Sequence, residues 1–225
     1  KIGEEHPVFI IAEAGINHNG SLLIAKKLVN MAKKAGADCI KFQTHIAEEE
    51  MIKTKILPGK ISKKPLWDII KNCELNEIEE KEIKRYCKIK KILFLSTPFS
   101  IPAVDRLEKI KISAYKIGSG ELTNIPFLKH IAKMKKPVIL STGMSNMKEI
   151  KIAVKLFKKY KTPLALLQTT SEYPCDYKDI NLGVIDKYRK IFKVPIGISD
   201  HSLGIYTALG AVAKGACIVE KHITL

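Results

Sequence analysis

Two histidines near the end of the chain close similar short runs, Ser199-Asp200-His201 and Glu220-Lys221-His222, each directly after an apolar stretch that reads as a strand. Imidazoles brought together at adjacent strand ends supply two ligands for a divalent ion. So few protein donors suit an open, exchangeable manganese or magnesium ion better than structural zinc. Upstream, Lys41-Phe42-Gln43 and Tyr115-Lys116-Ile117 alternate a cation with bulky apolar side chains. Alternate residues of a strand share a face, so Lys41 pairs with Gln43, Ile11 with Glu13, Ser199 with His201, and Glu220 with His222. A lysine turned into a barrel is unfavourable unless an anion neutralises it. Lys41 and Lys116 together therefore imply a bound phosphate or carboxylate beside the metal. The run Gly118-Ser119-Gly120-Glu121 lets the backbone approach anionic oxygens, or is simply a tight strand-to-helix turn. Glu121 next to such cations would act as a general base or orient a water. His6, His45 and His130 take the ordinary structural or surface role of a lone histidine, and His18 stays open between the two.

The elements that must position these groups alternate along the whole chain. Strands are expected at 8–12, 39–43, 92–96, 114–117, 138–141, 164–168, 195–198 and 217–220. Amphipathic helices are expected at 22–34, 77–90, 103–109, 126–134, 148–160, 182–192 and 206–214. Eight strands with crossover helices make an α/β fold of the (β/α)8 TIM-barrel type, truncated before the last helix; Gly15 and Gly20 are spaced wrongly for a dinucleotide site. Glu13, Asn17, His18, Gln43, Thr44, Thr97, Ser119, Glu121, Ser141, Thr142, Thr169, Ser171, Asp200 and His201 follow the strands, at the end of the barrel where active sites are built. The connection over 45–73, with Pro58-Gly59 and Trp67, is long enough to be a lid or binding loop.

At 225 residues and 46% hydrophobic content the chain reads as one domain. Its formal charge of +16 comes mostly from lysines spread along helices, which is a solvated face rather than a nucleic-acid patch, although it would steer anionic substrates. Five cysteines without CxxC spacing read as buried thiols in a reducing cytoplasm. No apolar run is long enough for a membrane span.

Together these motifs resemble the sialic acid synthase family. The resemblance rests on Ala12-Glu13-Ala14-Gly15-Ile16-Asn17-His18-Asn19-Gly20, Lys41-Phe42-Gln43-Thr44, Ser96-Thr97-Pro98-Phe99, residues 115–121, Leu140-Ser141-Thr142-Gly143-Met144, Ser199-Asp200-His201-Ser202 and Glu220-Lys221-His222. It implies a cytoplasmic enzyme that condenses phosphoenolpyruvate with N-acetylmannosamine or a related acetamido sugar. By it, Lys41, Gln43, Thr97, Lys116, Ser119 and Ser199 contact phosphoenolpyruvate, and His201 and His222 hold Mn2+ or Mg2+. Glu13 and Glu121 flank the reacting carbons, Lys41 and Lys116 take part in catalysis, and Ser171 and Tyr173 lie on the acceptor sugar. Family members also carry a C-terminal antifreeze-like domain that completes the site in a domain-swapped homodimer; that domain is expected to be missing from this chain, leaving a fragment that binds phosphoenolpyruvate and metal but turns over poorly. Ser171-Glu172 stands before Tyr173-Pro174 where characterised sialic acid synthases can have asparagine, and Lys60 stands where some members use an asparagine on the sugar. The first departure resembles legionaminic-type and spore-coat-type relatives and leaves the acceptor open. The rival readings are a phosphoenolpyruvate-dependent synthase acting on a sugar phosphate, with Lys60 or Lys63 on the second phosphate, and a non-catalytic barrel that binds an acidic sugar.

Overall fold

A computed structural model describes residues 1–58 and 62–225. Eight parallel strands form the barrel: β1 (Phe9–Gly15), β2 (Cys39–Thr44), β3 (Leu93–Pro98), β4 (Tyr115–Ile117), β5 (Val138–Ser141), β6 (Leu164–Thr169), β7 (Ile196–Asp200) and β8 (Ile218–His222). Their hydrogen-bonded order is β3-β2-β1-β8-β7-β6-β5-β4, and β3 lies against β4, so the sheet is nearly closed. This is the expected TIM-barrel architecture.

All seven expected helices are present: α1 (Leu22–Lys34), α4 (Glu77–Ile89), α5 (Ile101–Lys109), α6 (Ile125–Lys133), α7 (Met147–Lys159), α8 (Gly183–Phe192) and α9 (Tyr206–Ala213). The long connection after β2 adds two short ones, α2 (Ala47–Glu50) and α3 (Leu66–Cys73). Lys60 falls outside the described residues; Lys63 is exposed beside Lys53 and Lys55 on a surface hollow. Helix starts are written locally. Asn76 with Glu79 and Asn146 with Glu149 form capping boxes on α4 and α7. Several stops are unusual: Lys91, Lys111, Lys135, Lys161 and Lys193 each take a left-handed conformation just past a helix. Glycine is the usual residue there, and the lysine charges, close to the helix C-termini, offset part of the backbone penalty.

Strand parity divides the core. Tyr115, Ile117, Leu140, Leu166 and Ile198 face outward and pack with helix residues such as Phe127, Phe157 and Ile185. Phe42 also faces outward, in a second cluster with Leu28, Val29 and Ile83. Inside the barrel, Ile11, Cys39, Leu95, Ile139, Ala165, Leu167 and Ile218 form an apolar plug. The plug supports the polar layer above it and keeps water from entering from below. An apolar cavity of about 520 Å³ at the opposite end of the barrel, lined by Phe9, Leu95, Ile139 and Ala165, is separated by this plug from the polar side chains. All five cysteines are buried free thiols, as expected.

Glu80 on α4 is an exception to the apolar packing. It is 4% exposed, one carboxyl oxygen has no hydrogen-bond partner, and its nearest cation is Arg106 at 4.0 Å. Burial pushes its pKa up to about 7, against the opposing effects of Thr44 and Arg106. A carboxyl raised in the folded state favours folding fully below its unfolded pKa and loses that contribution as pH rises toward the folded value. Stability should therefore fall between about pH 4.5 and 7, by roughly 3 kcal/mol from the size of the shift. Glu80→Gln should flatten this decline and raise Tm at pH 8 but not at pH 4, measured by thermal melts across pH.

Candidate active site

The inward residues at the C-terminal ends of the strands form a continuous buried ion network. Register places Glu13 beside Lys41 and Gln43 beside Thr97. The Lys41 ammonium lies 2.7 Å from Glu13 and 3.7 Å from Glu220, and it donates to Thr97 Oγ1 at 3.1 Å. From the other side of the barrel, Lys116 donates to Ser141 Oγ at 2.7 Å and lies 3.4 Å from Glu220. Ser199, in register with Glu220, donates to its carboxylate at 2.9 Å. Glu13, Lys41, Lys116 and Glu220 are each no more than 4% exposed.

Two carboxylates and two ammoniums so close together perturb one another. Burial would raise Glu220, but Lys116 and Lys41 hold its carboxyl well below the usual range. Burial, reinforced by the Glu220 charge, raises Glu13 despite Lys41. Lys41 is held above its ordinary value by Glu13 and Glu220 against the effect of burial, whereas burial and the neighbouring Lys41 charge lower Lys116. Glu13 is thus the carboxyl most ready to exchange a proton, and Glu220 the fixed counter-charge.

Gly15 has φ +53°, and a Cβ there would lie 3.3 Å from Glu13 Oε1 and 3.4 Å from Gln43 Nε2. Glycine leaves room for the bond that Gln43 Nε2 donates to Glu13 Oε1 at 3.0 Å.

His201 and His222 meet at the rim with ring centroids 5.6 Å apart. His201 Nδ1 donates to the Thr170 carbonyl at 2.7 Å, which leaves Nε2 as the lone-pair nitrogen, 3.4 Å from Ser199 Oγ. Burial and the neighbouring His222 lower the pKa of His201; burial and Lys41 lower that of His222. Neutral imidazoles with a free nitrogen are suitable metal donors. Among the described residues no group of three or more His, Cys, Asp or Glu side chains is arranged to hold an ion. Outside the barrel wall, Asp200 pairs with Lys221 at 2.7 Å and accepts from the Ser202 amide and hydroxyl, bracing the strand ends that carry both histidines.

Tyr173 covers this end, stacked on His201 at 3.9 Å and edge-on to His222 at 5.6 Å. Ser119 and Ser171 come together over Gly143, where a Cβ would fall 2.8 and 2.4 Å from their hydroxyls. Glu121 lies outside the ion network: it is half-buried in a short turn and accepts from Asn124 at 2.8 Å. His18 is fully buried, accepts from the Gly20 amide and is lowered to about 4 by burial and His45, while His130 pairs with Asp105 at the surface. Thr44 faces away from the mouth, bonded to Ser96. Glu220 is the main residue without an expected role, although its parity with His222 had put it on the inner face.

Residues 28–225 match the NeuB family. The chain belongs to the NeuB family. This NeuB-family chain is 42% identical to the N,N'-diacetyllegionaminic acid synthase of Campylobacter jejuni, over 96% of the chain and 67% of the relative. It is 37% identical to the human N-acetylneuraminate-9-phosphate synthase, over 100% of the chain and 64% of the relative. Among solved structures, the N-acetylneuraminic acid synthetase of Leptospira borgpetersenii, in complex with citrate, superposes with a TM-score of 0.91 at 40% identity, covering 99% of this chain and 75% of that one. A truncated 3-deoxy-D-arabino-heptulosonate 7-phosphate synthase from Thermotoga maritima, at 15% identity and TM-score 0.75 over 99% of this chain and 77% of that one, shares the fold. The chain spans about two thirds of the length of these curated relatives.

Proposed function

We propose that the chain is the catalytic barrel of a synthase that joins phosphoenolpyruvate, an N-acetylated amino sugar and water into a nonulosonic acid, releasing phosphate by carbon–oxygen cleavage. The observation that carries this reading is the buried Lys41–Glu220–Lys116 bridge beneath two neutral imidazoles. Two lysines directed inward below the two histidines form a seat for a small polyanion, and the names of the relatives supply the reaction class.

In this reading Lys41, Lys116, Thr97, Ser199 and Ser119 hold the phosphate and carboxylate of phosphoenolpyruvate. The enol carbon attacks the sugar aldehyde, whose oxygen takes up a proton to become a hydroxyl, forming the carbon–carbon bond and leaving a cationic centre at the carbon that bears the phosphate oxygen. Water adds there, and Glu13, its pKa raised, accepts the water's proton. The bond from this carbon to the phosphate oxygen then breaks. His201 and His222 would hold a divalent ion, manganese or magnesium, that supplies Lewis acidity at the sugar aldehyde. Gln43 joins the phosphoenolpyruvate contacts, Glu121 flanks the reacting carbons with Glu13, and Ser171 and Tyr173 line the acceptor side. The acceptor is N-acetylmannosamine or a 2,4-diacetamido relative, and the reading extends to a cytoplasmic homodimer completed by a further C-terminal domain. No helix among the described residues is long and apolar enough to cross a membrane.

The test is phosphate release from phosphoenolpyruvate by the full-length protein, with manganese, across a panel of acetamido sugars and their phosphates. Release with an unphosphorylated acetamido sugar is expected. Release only with a sugar phosphate would favour the rival synthase, and no release despite phosphoenolpyruvate binding would favour a non-catalytic barrel. His201→Ala removes one of two direct ligands and is expected to weaken manganese binding by more than the roughly 10–100-fold that loss of an outer-shell partner costs, read by calorimetry as well as by turnover.

A further inference from the structure

The ion network continues out of the barrel into the connection after β2. His45 is 5% exposed and its ring stacks on Phe99 with centroids 4.5 Å apart. Its Nδ1 lies 2.9 and 3.0 Å from the two carboxyl oxygens of Glu50, the last residue of α2, whose side chain is 4% exposed. Its Nε2 lies 3.0 Å from Gln43 Oε1, and Gln43 Nε2 donates to Glu13 Oε1 at 3.0 Å.

Each link fixes the direction of the next. The Glu13 carboxylate accepts, so the NH2 end of the Gln43 amide must face it and the carbonyl end must face His45. His45 Nε2 therefore donates to the Gln43 carbonyl, and its Nδ1 shares a hydrogen bond with the Glu50 carboxyl group. A buried carboxylate aimed at a buried ring that grips an amide does more than pack, since the same volume could be filled by apolar groups without the desolvation cost of the ions.

We propose that Glu50 and His45 are positioning residues that lock the Gln43 amide with its donor toward Glu13, so that α2 governs the orientation of a carboxylate in the reaction centre. This rests on the synthase reading for its effect on turnover but not for the coupling itself. It also gives α2, in the connection read from sequence as a lid or binding loop, a definite task at the site.

Two arms test it. In the turnover arm, Glu50→Gln should lower kcat about tenfold, the scale of one hydrogen bond to a charged group, with the KM for phosphoenolpyruvate within about twofold of wild type. Glu50→Asp should recover part of the loss. Turnover that is unchanged, or that falls only with the folded fraction, would overturn the proposal. The second arm uses 15N-histidine-labelled protein with Glu50 intact. Glu13→Gln should move the His45 ring nitrogen resonances, because Glu13 reaches His45 through Gln43; unmoved resonances would overturn the proposal. If the full-length wild type releases no phosphate with any sugar, the synthase reading fails, and the resonance arm still decides whether the positioning chain exists.

Discussion

Glu220→Gln is expected to lower Tm by roughly 6–20 °C, the equivalent of about 3–5 kcal/mol for removing one partner from a buried ion network in a chain of this size. Lys41 and Lys116 both direct their ammoniums at this carboxylate, at 3.7 and 3.4 Å, and Ser199 donates to it. Glutamine keeps the shape and loses the charge, leaving two buried cations with only Glu13. Added phosphate or phosphoenolpyruvate should recover much of the lost stability, and should raise the Tm of the variant more than that of the wild type, because binding stabilises by linkage and the variant lacks its internal counter-charge. Thermal melts with and without the anion read both effects. A drop in Tm that the anion leaves unchanged would mean that the lysines serve Glu220 alone.

Lys116→Met should reverse the balance, with a small change in stability and a large one in activity. Methionine fills the lysine stem's volume, and Glu13, already raised by burial and by Glu220, can take up a proton as compensation. The transition state loses a buried ammonium that holds phosphate charge, and kcat/KM for phosphoenolpyruvate should fall about 10³-fold, or ~4 kcal/mol. The sugar KM should change little. If Lys116 were only a structural partner of Glu220, activity would fall in step with the folded fraction measured by circular dichroism.

The barrel and most of the site were legible because both follow simple periodicities. Alternation put Lys41 and Gln43 on one face and Phe42 on the other, and the structure places Phe42 in the outer core and Lys41 in the ion network. Glu220 went without a role because the run Glu220-Lys221-His222 drew attention to its histidine, although one parity argument covers both residues. The Asp200–Lys221 brace sits on the outer parity, where pattern gives no chemical signal. A lone histidine such as His45 carries no chemical signal by itself; its partners Glu50 and Gln43 are close in sequence, but only the fold of α2 turns the carboxylate back onto the ring. Glu80 left a readable trace, since its spacing from Ile83 and Cys87 puts a carboxylate on the buried stripe of α4. The two helices inside 45–73 were missed because α2 is only four residues long and α3 eight, too short for periodicity to register.

The measurement that bears most directly on the central claim is calorimetric titration of phosphoenolpyruvate into the chain, alongside Lys116→Met and Glu220→Gln. Binding is expected at micromolar affinity, competed by inorganic phosphate, lost with Lys116→Met and retained or tightened with Glu220→Gln. Absence of binding to the folded wild-type chain at millimolar phosphoenolpyruvate, or binding unaffected by loss of Lys116, would contradict an anion seat built from Lys41 and Lys116.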